Sequence, residues 1–171
     1  MSLWLDLSAL PADGRDRVKD AGLYFPGSTC RVLPDDAYRA DLRVSARQPE
    51  DVLENLAALQ LTIDVLHEGG GAPWLGTRAI GEVSGCGRVE IATTVTDGQG
   101  KVVYKHTIPT PRTLMPGERE HIVAGVVAPG TKPPALTGGG PYTLNVMLVQ
   151  QGVRFFGGDR QQGVSIPLGA N

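Results

Sequence analysis

The sequence predicts an all-β fold, built from short antiparallel strands packed as a sandwich. Glycine and proline make up 36 of the 171 residues (23 Gly plus 13 Pro), or about 21%, whereas the average usage of the two is about 12%. They follow no period, and they separate short runs in which apolar and polar residues alternate. Such alternation is typical of half-buried strands, and the intervening residues are typical of turns. No segment after residue 30 has an apolar stripe at helical spacing.

The first half of the chain contains the clearest of these strands. A strand over 41–47 alternates polar and apolar residues and ends before Pro49. The next strand, over 59–65, places four aliphatic residues on one face: Leu59, Leu61, Ile63 and Val65. A hairpin follows, with strands over 89–95 and 101–106 joined by Asp97-Gly98-Gln99-Gly100. Glycine accepts positive φ at no steric cost, so this segment predicts a tight turn.

The second half of the chain continues the pattern. Strands are predicted over 120–128, 142–151, 153–156 and 163–168. The short strand over 153–156 follows a glycine turn and is expected to pair with 142–151 as a hairpin. Pro167 has no backbone N–H to donate, which places the last strand at a sheet edge. Seven or eight strands with turns every ~8–12 residues predict an antiparallel, immunoglobulin-like β-sandwich.

Length and charge distribution predict one folded domain. A chain of 171 residues falls within the single-domain range of ~100–200 residues. Residues 1–30 lack clear alternation and are strongly charged between Pro11 and Asp20, so they are interpreted as an N-terminal extension or linker. Residues 31–171 form the predicted sandwich domain.

Composition argues against several partners and locations. The formal net charge of −2 provides no electrostatic surface for nucleic acid or an anionic membrane. No stretch approaches the ~20 apolar residues of a membrane helix, and the first residues lack the features of an export signal. Cys30 and Cys86 are too few for a disulfide scaffold or a zinc site of the usual spacing. One disulfide and two reduced thiols both remain open.

The ionisable residues form no known catalytic motif. His67, His106 and His121 lie on three different predicted elements without an i, i+4 pair, so no metal site is predicted. The small residues around Cys86 come without a base or an orienting partner for a nucleophile. Spacing selects no pair of carboxylates for glycoside hydrolysis. We therefore expect neither an enzyme nor a cofactor, and a carbohydrate-active hydrolase stays an alternative.

The order of motifs between Leu59 and Leu168 resembles one known family. The strand over 59–65 is followed by Pro73-Trp74, and the hairpin after it contains Asp97-Gly98-Gln99-Gly100-Lys101. The next predicted strand is preceded by Leu114-Met115-Pro116-Gly117-Glu118. The strand after that begins with Gly140-Pro141-Tyr142-Thr143-Leu144. This series resembles the C-terminal domain of Wzt-type ABC transporters, the module that recognises O-antigen polysaccharide, and related modules attached to bacterial glycosyltransferases. The chain departs from the family at His67-Glu68-Gly69, where Asn-x-Gly is common, and at Phe155-Phe156, where Trp-Phe is common.

The resemblance implies a non-catalytic carbohydrate-recognition module that binds a bacterial O-antigen or related surface polysaccharide during export or synthesis. It further implies a cytoplasmic location, a homodimer, and an ABC transporter or glycosyltransferase context. No Gly-x-x-x-x-Gly-Lys-Ser/Thr motif is present, so ATP hydrolysis is not expected of these residues. The alternative is a structural or dimerisation β-sandwich attached to a larger carbohydrate-active or transport protein, because a fold does not determine function.

Sugar recognition needs an aromatic face for the C–H side of a ring and fixed polar groups for its hydroxyls. Trp74 lies in a Gly- and Pro-rich loop, where it serves as a stacking platform or as a plug at the end of the sandwich. The outward face of the strand over 142–151 is semi-polar and includes Asn145. Arg154, on the neighbouring strand, is a good donor to hydroxyls or carboxylates. Asn145, Arg154, Trp74 and Tyr104 are therefore the candidate ligand-binding residues.

Overall fold

A computed structural model describes residues 33–47, 53, 55–76, 87–136, 140–157 and 163–169. Within these ranges the chain forms eight strands: β1 Ala40–Arg47, β2 Gln60–His67, β3 Val89–Thr96, β4 Val102–Ile108, β5 Arg119–Gly125, β6 Tyr142–Gln150, β7 Arg154–Phe155 and β8 Gly163–Leu168. Two 3-10 turns, Asp35–Tyr38 and Leu56–Ala58, complete the described secondary structure. The all-β prediction is confirmed. The predicted extension over 1–30, together with Cys30 and Cys86, lies outside the described residues.

The strands form two antiparallel sheets. The smaller sheet has the order β1-β2-β5, and the larger has the order β4-β3-β6, with β7 and β8 both pairing along the far edge of β6. The chain passes between the sheets after β2, after β4 and after β5, which is the Greek-key path of an immunoglobulin-like sandwich. Among the described strands, β8 pairs with β6 alone, and Pro167 lies opposite Thr143. Its edge position, predicted from Pro167, is confirmed.

The inward faces of the central strands form the core. On β2 and just before it, Leu59, Leu61, Ile63 and Val65 are almost completely buried, as their alternation predicts. They pack with the inward side chains of the facing strands: Val89, Ile91 and Val95 on β3, and Leu144, Val146 and Leu148 on β6. Complete burial of one such side chain contributes roughly 1.5–3 kcal/mol. A register slip of one residue would expose a whole row of them, so the core determines the pairing of the strands.

The β3–β4 hairpin forms where the sequence predicts it. The Asp97 N–H donates to Lys101 O at 3.0 Å, and Gly100 N donates to Asp97 O at 2.9 Å. Asp97 Oδ1 also accepts the backbone N–H groups of Gln99 and Lys101, each at 2.9 Å. Gly100 has φ 80°, a left-handed conformation that glycine adopts without strain.

β5 and β7 are shorter than the sequence predicts. β5 ends at Gly125 rather than at Ala128, because Ala128 opens a turn in which its carbonyl accepts the Thr131 N–H at 3.1 Å. Val126 still points into the core. β7 has two residues instead of four, and the predicted hairpin with β6 is confirmed. In the part of the chain that is described, no helix has the length and hydropathy to cross a bilayer.

We expect Asp97→Ala to lower the free energy of unfolding by about 1 kcal/mol, because two backbone N–H groups lose their carboxylate acceptor at a partly exposed turn. Urea denaturation followed by circular dichroism measures the change. Asp97→Asn is the matched control, since it keeps one side-chain oxygen as an acceptor and should retain more than half of the difference. An alanine variant as stable as the wild type would contradict the role assigned to this carboxylate.

Candidate functional site

The two sheets present outer faces of different chemistry. The outer face of the smaller sheet is charged and contains Asp41, Arg43 and Arg47 on β1, Asp64 on β2, and Arg119 and His121 on β5. Two pairs on it are in contact, Arg43 Nη2 with Asp41 Oδ2 at 2.9 Å and His121 Nδ1 with Asp64 Oδ1 at 2.8 Å. Exposed pairs of this kind contribute little to stability. This is the pattern of an ordinary solvated surface.

The outer face of the larger sheet is mostly neutral. Residues directly opposite each other on antiparallel strands point to the same side, so the register defines four rows: Val102-Thr96-Thr143-Pro167, Lys105-Thr94-Asn145-Ser165, Thr107-Ala92-Met147-Gly163 and Glu90-Val149-Phe155. We call these residues the β6 face. Hydroxyl and amide groups lie toward one end of it, and Met147, Val149 and Phe155 form an apolar group toward the other.

Two open depressions lie side by side on the β6 face. The first has a volume of about 400 Å³, and its lining includes Thr94, Thr96, Asn145, Met147, Phe155 and Ser165. The second has a volume of about 510 Å³, and its lining includes Ala92, Thr94, Lys105, Thr107, Gln151 and Phe155. A third, of about 290 Å³, lies where the β1 and β8 edges meet, over the core residues Leu148 and Phe156. The first two lie on the β6 face.

Asn145 lines the first depression, and its side chain points outward as the alternation along β6 predicts. Its Nδ2 donates to Thr96 Oγ1 at 3.4 Å, and its Oδ1 accepts the Ser165 hydroxyl at 2.8 Å. A carboxamide has two N–H donors and two acceptor lone pairs. Its neighbours therefore hold the side chain in place, and these two bonds use one of its donors and one of its lone pairs.

Phe155 is the aromatic residue of the β6 face, and the sequence did not single it out. Side chains on a strand alternate between its two sides, and the sequence does not say which set faces outward here. The outward pair is either Arg154 and Phe156 or Val153 and Phe155. In the structure Phe155 lies opposite Val149 and is 40% exposed, whereas Phe156 is buried in the core. A two-residue strand is too short for its own pattern to choose between the two pairs.

Gly163 leaves room for the Met147 side chain in the first depression. It lies opposite Met147 on β6. A Cβ at position 163 would come within 2.6 Å of Met147 Cγ and 3.0 Å of Val146 O. Only glycine therefore lets the methionine side chain lie across the β8 strand.

Arg154 points away from the β6 face. It pairs with the inward residue Gln150, and its Nη2 donates to Asp35 Oδ1 at 2.7 Å. Its guanidinium carbon lies 3.7 Å from the centre of the Tyr38 ring, a cation–π contact. Arg154 therefore attaches the segment before β1 to the larger sheet, and the structure does not bring it together with Asn145.

Trp74 and Tyr104 also lie off the β6 face. Trp74 is 2% exposed and its Nε1 donates to Ala37 O at 2.8 Å, which corresponds to the plug interpretation and leaves no ring face for a ligand. Tyr104 lies opposite the core residue Val95, and its hydroxyl accepts the Ala128 N–H at 3.3 Å. This contact joins the β4 edge to the chain after β5. Of the four candidates, Asn145 is the one on the β6 face.

Five side chains form a continuous stack at the end of the sandwich, which we call the ring stack: His67, Trp74, Phe156, Tyr38 and Arg154. The His67 and Trp74 rings are parallel with centroids 4.0 Å apart, and edge contacts at 5.0 Å and 5.1 Å join Trp74 to Phe156 and Phe156 to Tyr38. Burial raises the pKa of Tyr38, and the nearby guanidinium opposes this.

Gln150 ties the ring stack to β6. Its Oε1 accepts the Tyr38 hydroxyl and, at 3.3 Å, the Leu33 N–H. Its Nε2 donates to Gly87 O at 3.1 Å. Because Arg154 and Phe156 both belong to the stack and flank Phe155 in sequence, this network holds Phe155 on the opposite, outward side.

His67 is completely buried, and both ring nitrogens are bonded. Nε2 lies 2.8 Å from Ala72 O, and Nδ1 accepts the Gly69 N–H at 3.1 Å. Only the neutral ring with its proton on Nε2 satisfies both bonds. Burial lowers the pKa of His67 from 6.5, and the bond to Ala72 opposes this shift. In the described ranges, no group of three or more His, Cys, Asp or Glu is arranged to hold a metal ion.

No protein-family model and no curated protein matches the chain. Among solved structures, it is similar over 75% of its length to a beta-glucuronidase from glycoside hydrolase family 2, at 11% identity and a TM-score of 0.40. It is also similar over 83% of its length to a protein assigned as a beta-galactosidase from Bacteroides fragilis, at 17% identity and a TM-score of 0.37. The chain spans 11% and 17% of those two proteins. Both TM-scores lie below 0.5, and neither match bears on function.

We expect the stability of the protein to fall as the pH drops below 6.5, in part through His67. The folded state disfavours its protonation, so the unfolded chain binds more protons between the lowered pKa and 6.5. The free energy of unfolding then decreases with falling pH, by up to about 1.4 kcal/mol per pH unit for one group.

The matched variant for this measurement is His67→Phe, which keeps a ring against Trp74 and cannot titrate. It should be less stable at pH 8 by roughly 1–3 kcal/mol, because the Gly69 N–H and the Ala72 carbonyl lose their partner. It should also have a shallower pH dependence than the wild type below pH 6.5. His106, whose pKa burial also lowers, is present in both proteins and cancels. Equal slopes in urea titrations from pH 8 to 5 would contradict the assignment.

Proposed function

We propose that this chain is a non-catalytic carbohydrate-recognition module and that the β6 face is its binding surface. The observation that supports this is the arrangement of the first depression, where the neutral groups of Thr94, Thr96, Asn145 and Ser165 surround a floor of Met147 beside the exposed Phe155. A sugar ring offers the complementary pattern, hydroxyls at its rim and C–H groups on its faces.

The β6 face is also prepared for binding. β3 and β6 are interior strands of the larger sheet, each paired on both sides. Asn145 is held by two side-chain hydrogen bonds. Groups fixed before a ligand arrives lose little conformational entropy on binding. The charged outer face of the smaller sheet has no comparable arrangement in the described residues.

The lining of these two depressions favours binding over cleavage. Glycoside hydrolysis uses two carboxyl groups flanking the scissile bond, and none of the described residues that line the two depressions is Asp or Glu. The nearby Glu90 accepts the Gln151 amide at 2.7 Å and lies 3.6 Å from Arg88 Nε. These contacts engage its carboxylate.

The biological setting that we propose follows the resemblance to the Wzt-type module. The ligand is a bacterial O-antigen or related surface polysaccharide, bound in the cytoplasm during export or synthesis. The protein acts as a homodimer beside an ABC transporter or a glycosyltransferase. The order of motifs between Leu59 and Leu168 supports this setting.

A second candidate function is a dimerisation module that uses the same face. Two large apolar side chains on the β6 face are exposed, Val102 at 50% and Phe155 at 40%. Apolar groups at the surface also serve protein contacts. The two functions make different predictions for the free protein, because a dimer interface is occupied without any sugar.

The test is a titration of ¹⁵N-labelled protein with neutral oligosaccharides of glucose, mannose, galactose and N-acetylglucosamine. We expect backbone shifts confined to the β6 face around Thr94, Asn145 and Ser165. Asn145→Ala and Phe155→Ala should each weaken binding about tenfold, or ~1.4 kcal/mol. Val123→Ala is the control, because Val123 is 62% exposed on the other sheet.

No shifts at millimolar sugar, where an interaction of ~4 kcal/mol is visible, would contradict the proposed function. Sedimentation of the sugar-free protein tests the second candidate. A dimer that Phe155→Asp dissociates would support a role in dimerisation.

A further inference from the structure

We infer that the β6 face binds the interior of a polysaccharide chain, with neighbouring sugar residues seated in its two depressions. This inference rests on the proposed function and adds to it which part of the polymer is recognised. A site for a chain end and a site for a chain interior differ in shape. The first is closed on one side, and the second lets the polymer enter and leave.

The two depressions follow one another along the strands. On β6 the first is lined by Asn145 and Met147, and the second is lined by Val149 on β6 and by Gln151 directly after it. On β3 the corresponding residues are Thr94 and Thr96, then Ala92 to Thr94. The offset is two to four residues, or roughly 7–14 Å at about 3.4 Å per residue. A polymer that occupies both must therefore lie along β3 and β6.

The two depressions are adjacent and have lining residues in common. Thr94 and Phe155 line both of them. A hydroxyl from β3 and an aromatic ring at the β7 edge therefore meet the ligand where one sugar residue joins the next. Both depressions are open to solvent rather than enclosed. None of the described lining residues forms a barrier between them.

Each depression has a side chain of its own that an experiment can remove. Asn145 belongs to the first alone, and Lys105 belongs to the second alone. Lys105 lies opposite Thr94 across the β3–β4 pair, and its ammonium group is a donor to sugar hydroxyls. Among the described residues it makes no ion pair, so its substitution should leave the folded structure intact.

Binding should depend on chain length in a defined way. Two weak subsites joined by one ligand act together, because the second contact becomes intramolecular. With the tightest sugar of the panel, affinity measured by calorimetry should rise at least tenfold from the monosaccharide to the trisaccharide and then level off. Two changes at the chain ends should each leave the affinity of a hexasaccharide unchanged: reduction of its reducing-end sugar to the alditol with borohydride, and removal of one hydroxyl from its non-reducing terminal sugar.

The variants assign the two subsites. Asn145→Ala and Lys105→Ala should each lower the trisaccharide affinity toward that of the monosaccharide. Phe155→Ala should lower it by a similar factor, and Val123→Ala should have no effect. Monosaccharide bound as tightly as hexasaccharide, or loss of binding when either terminal sugar is altered, would overturn the inference and leave the proposed function standing. Absence of binding by every member of the panel would overturn both.

Discussion

The ring stack is the constraint on which the rest of this end of the molecule depends. It joins the end of β2, the loop after it, the turn before β1 and the β6–β7 hairpin through aromatic contacts and the bonds of Gln150. The ring polar atoms of Tyr38, His67 and Trp74 each have a specific partner, such as Ala37 O for the Trp74 indole. Removing one partner would bury an unsatisfied group, which costs about 1–3 kcal/mol. The stack also determines which side chains of β7 face outward, since Arg154 and Phe156 contact Tyr38 on the side of the sheet opposite Phe155.

The candidate surface therefore owes its aromatic residue to packing on the opposite side of the same strand. The contacts that stabilise the hairpin thus also position the aromatic residue of the candidate surface. Phe156 is buried in the core and Arg154 is held by Asp35 and the Tyr38 ring, whereas Phe155 between them faces solvent on the other side of the sheet. The polar half of the β6 face has a different origin, because it follows from the register of β3, β6 and β8 alone. The polar half of the surface is thus set by alternation along its strands and their register, and the position of Phe155 is set by the contacts of the ring stack.

That division explains how much could be predicted from the sequence. The strands, the Asp97 turn and the outward position of Asn145 follow from period-2 alternation and turn chemistry, which operate over a few neighbouring residues. The places of Trp74 and Arg154 follow from partners 37 and 119 positions away, which no local pattern encodes. The candidates chosen for their chemical type, an aromatic ring and a guanidinium, are therefore the ones that the structure uses for packing. Phe155 lies at the surface and Phe156 in the core because neighbouring residues of a strand point to opposite sides of the sheet.

The segment before the first strand has a practical consequence for anyone who trims this protein. A boundary drawn at Ala40, where regular strand begins, would discard Asp35, Ala37 and Tyr38. Such a shortened chain would keep every strand and lose the acceptor of the Trp74 indole, one aromatic neighbour of Phe156 and the carboxylate that Arg154 binds. Its circular dichroism spectrum would still be that of a β-sheet protein, while the hairpin bearing Phe155 would have lost its anchor. The packing of this end of the sandwich thus includes residues upstream of its first strand.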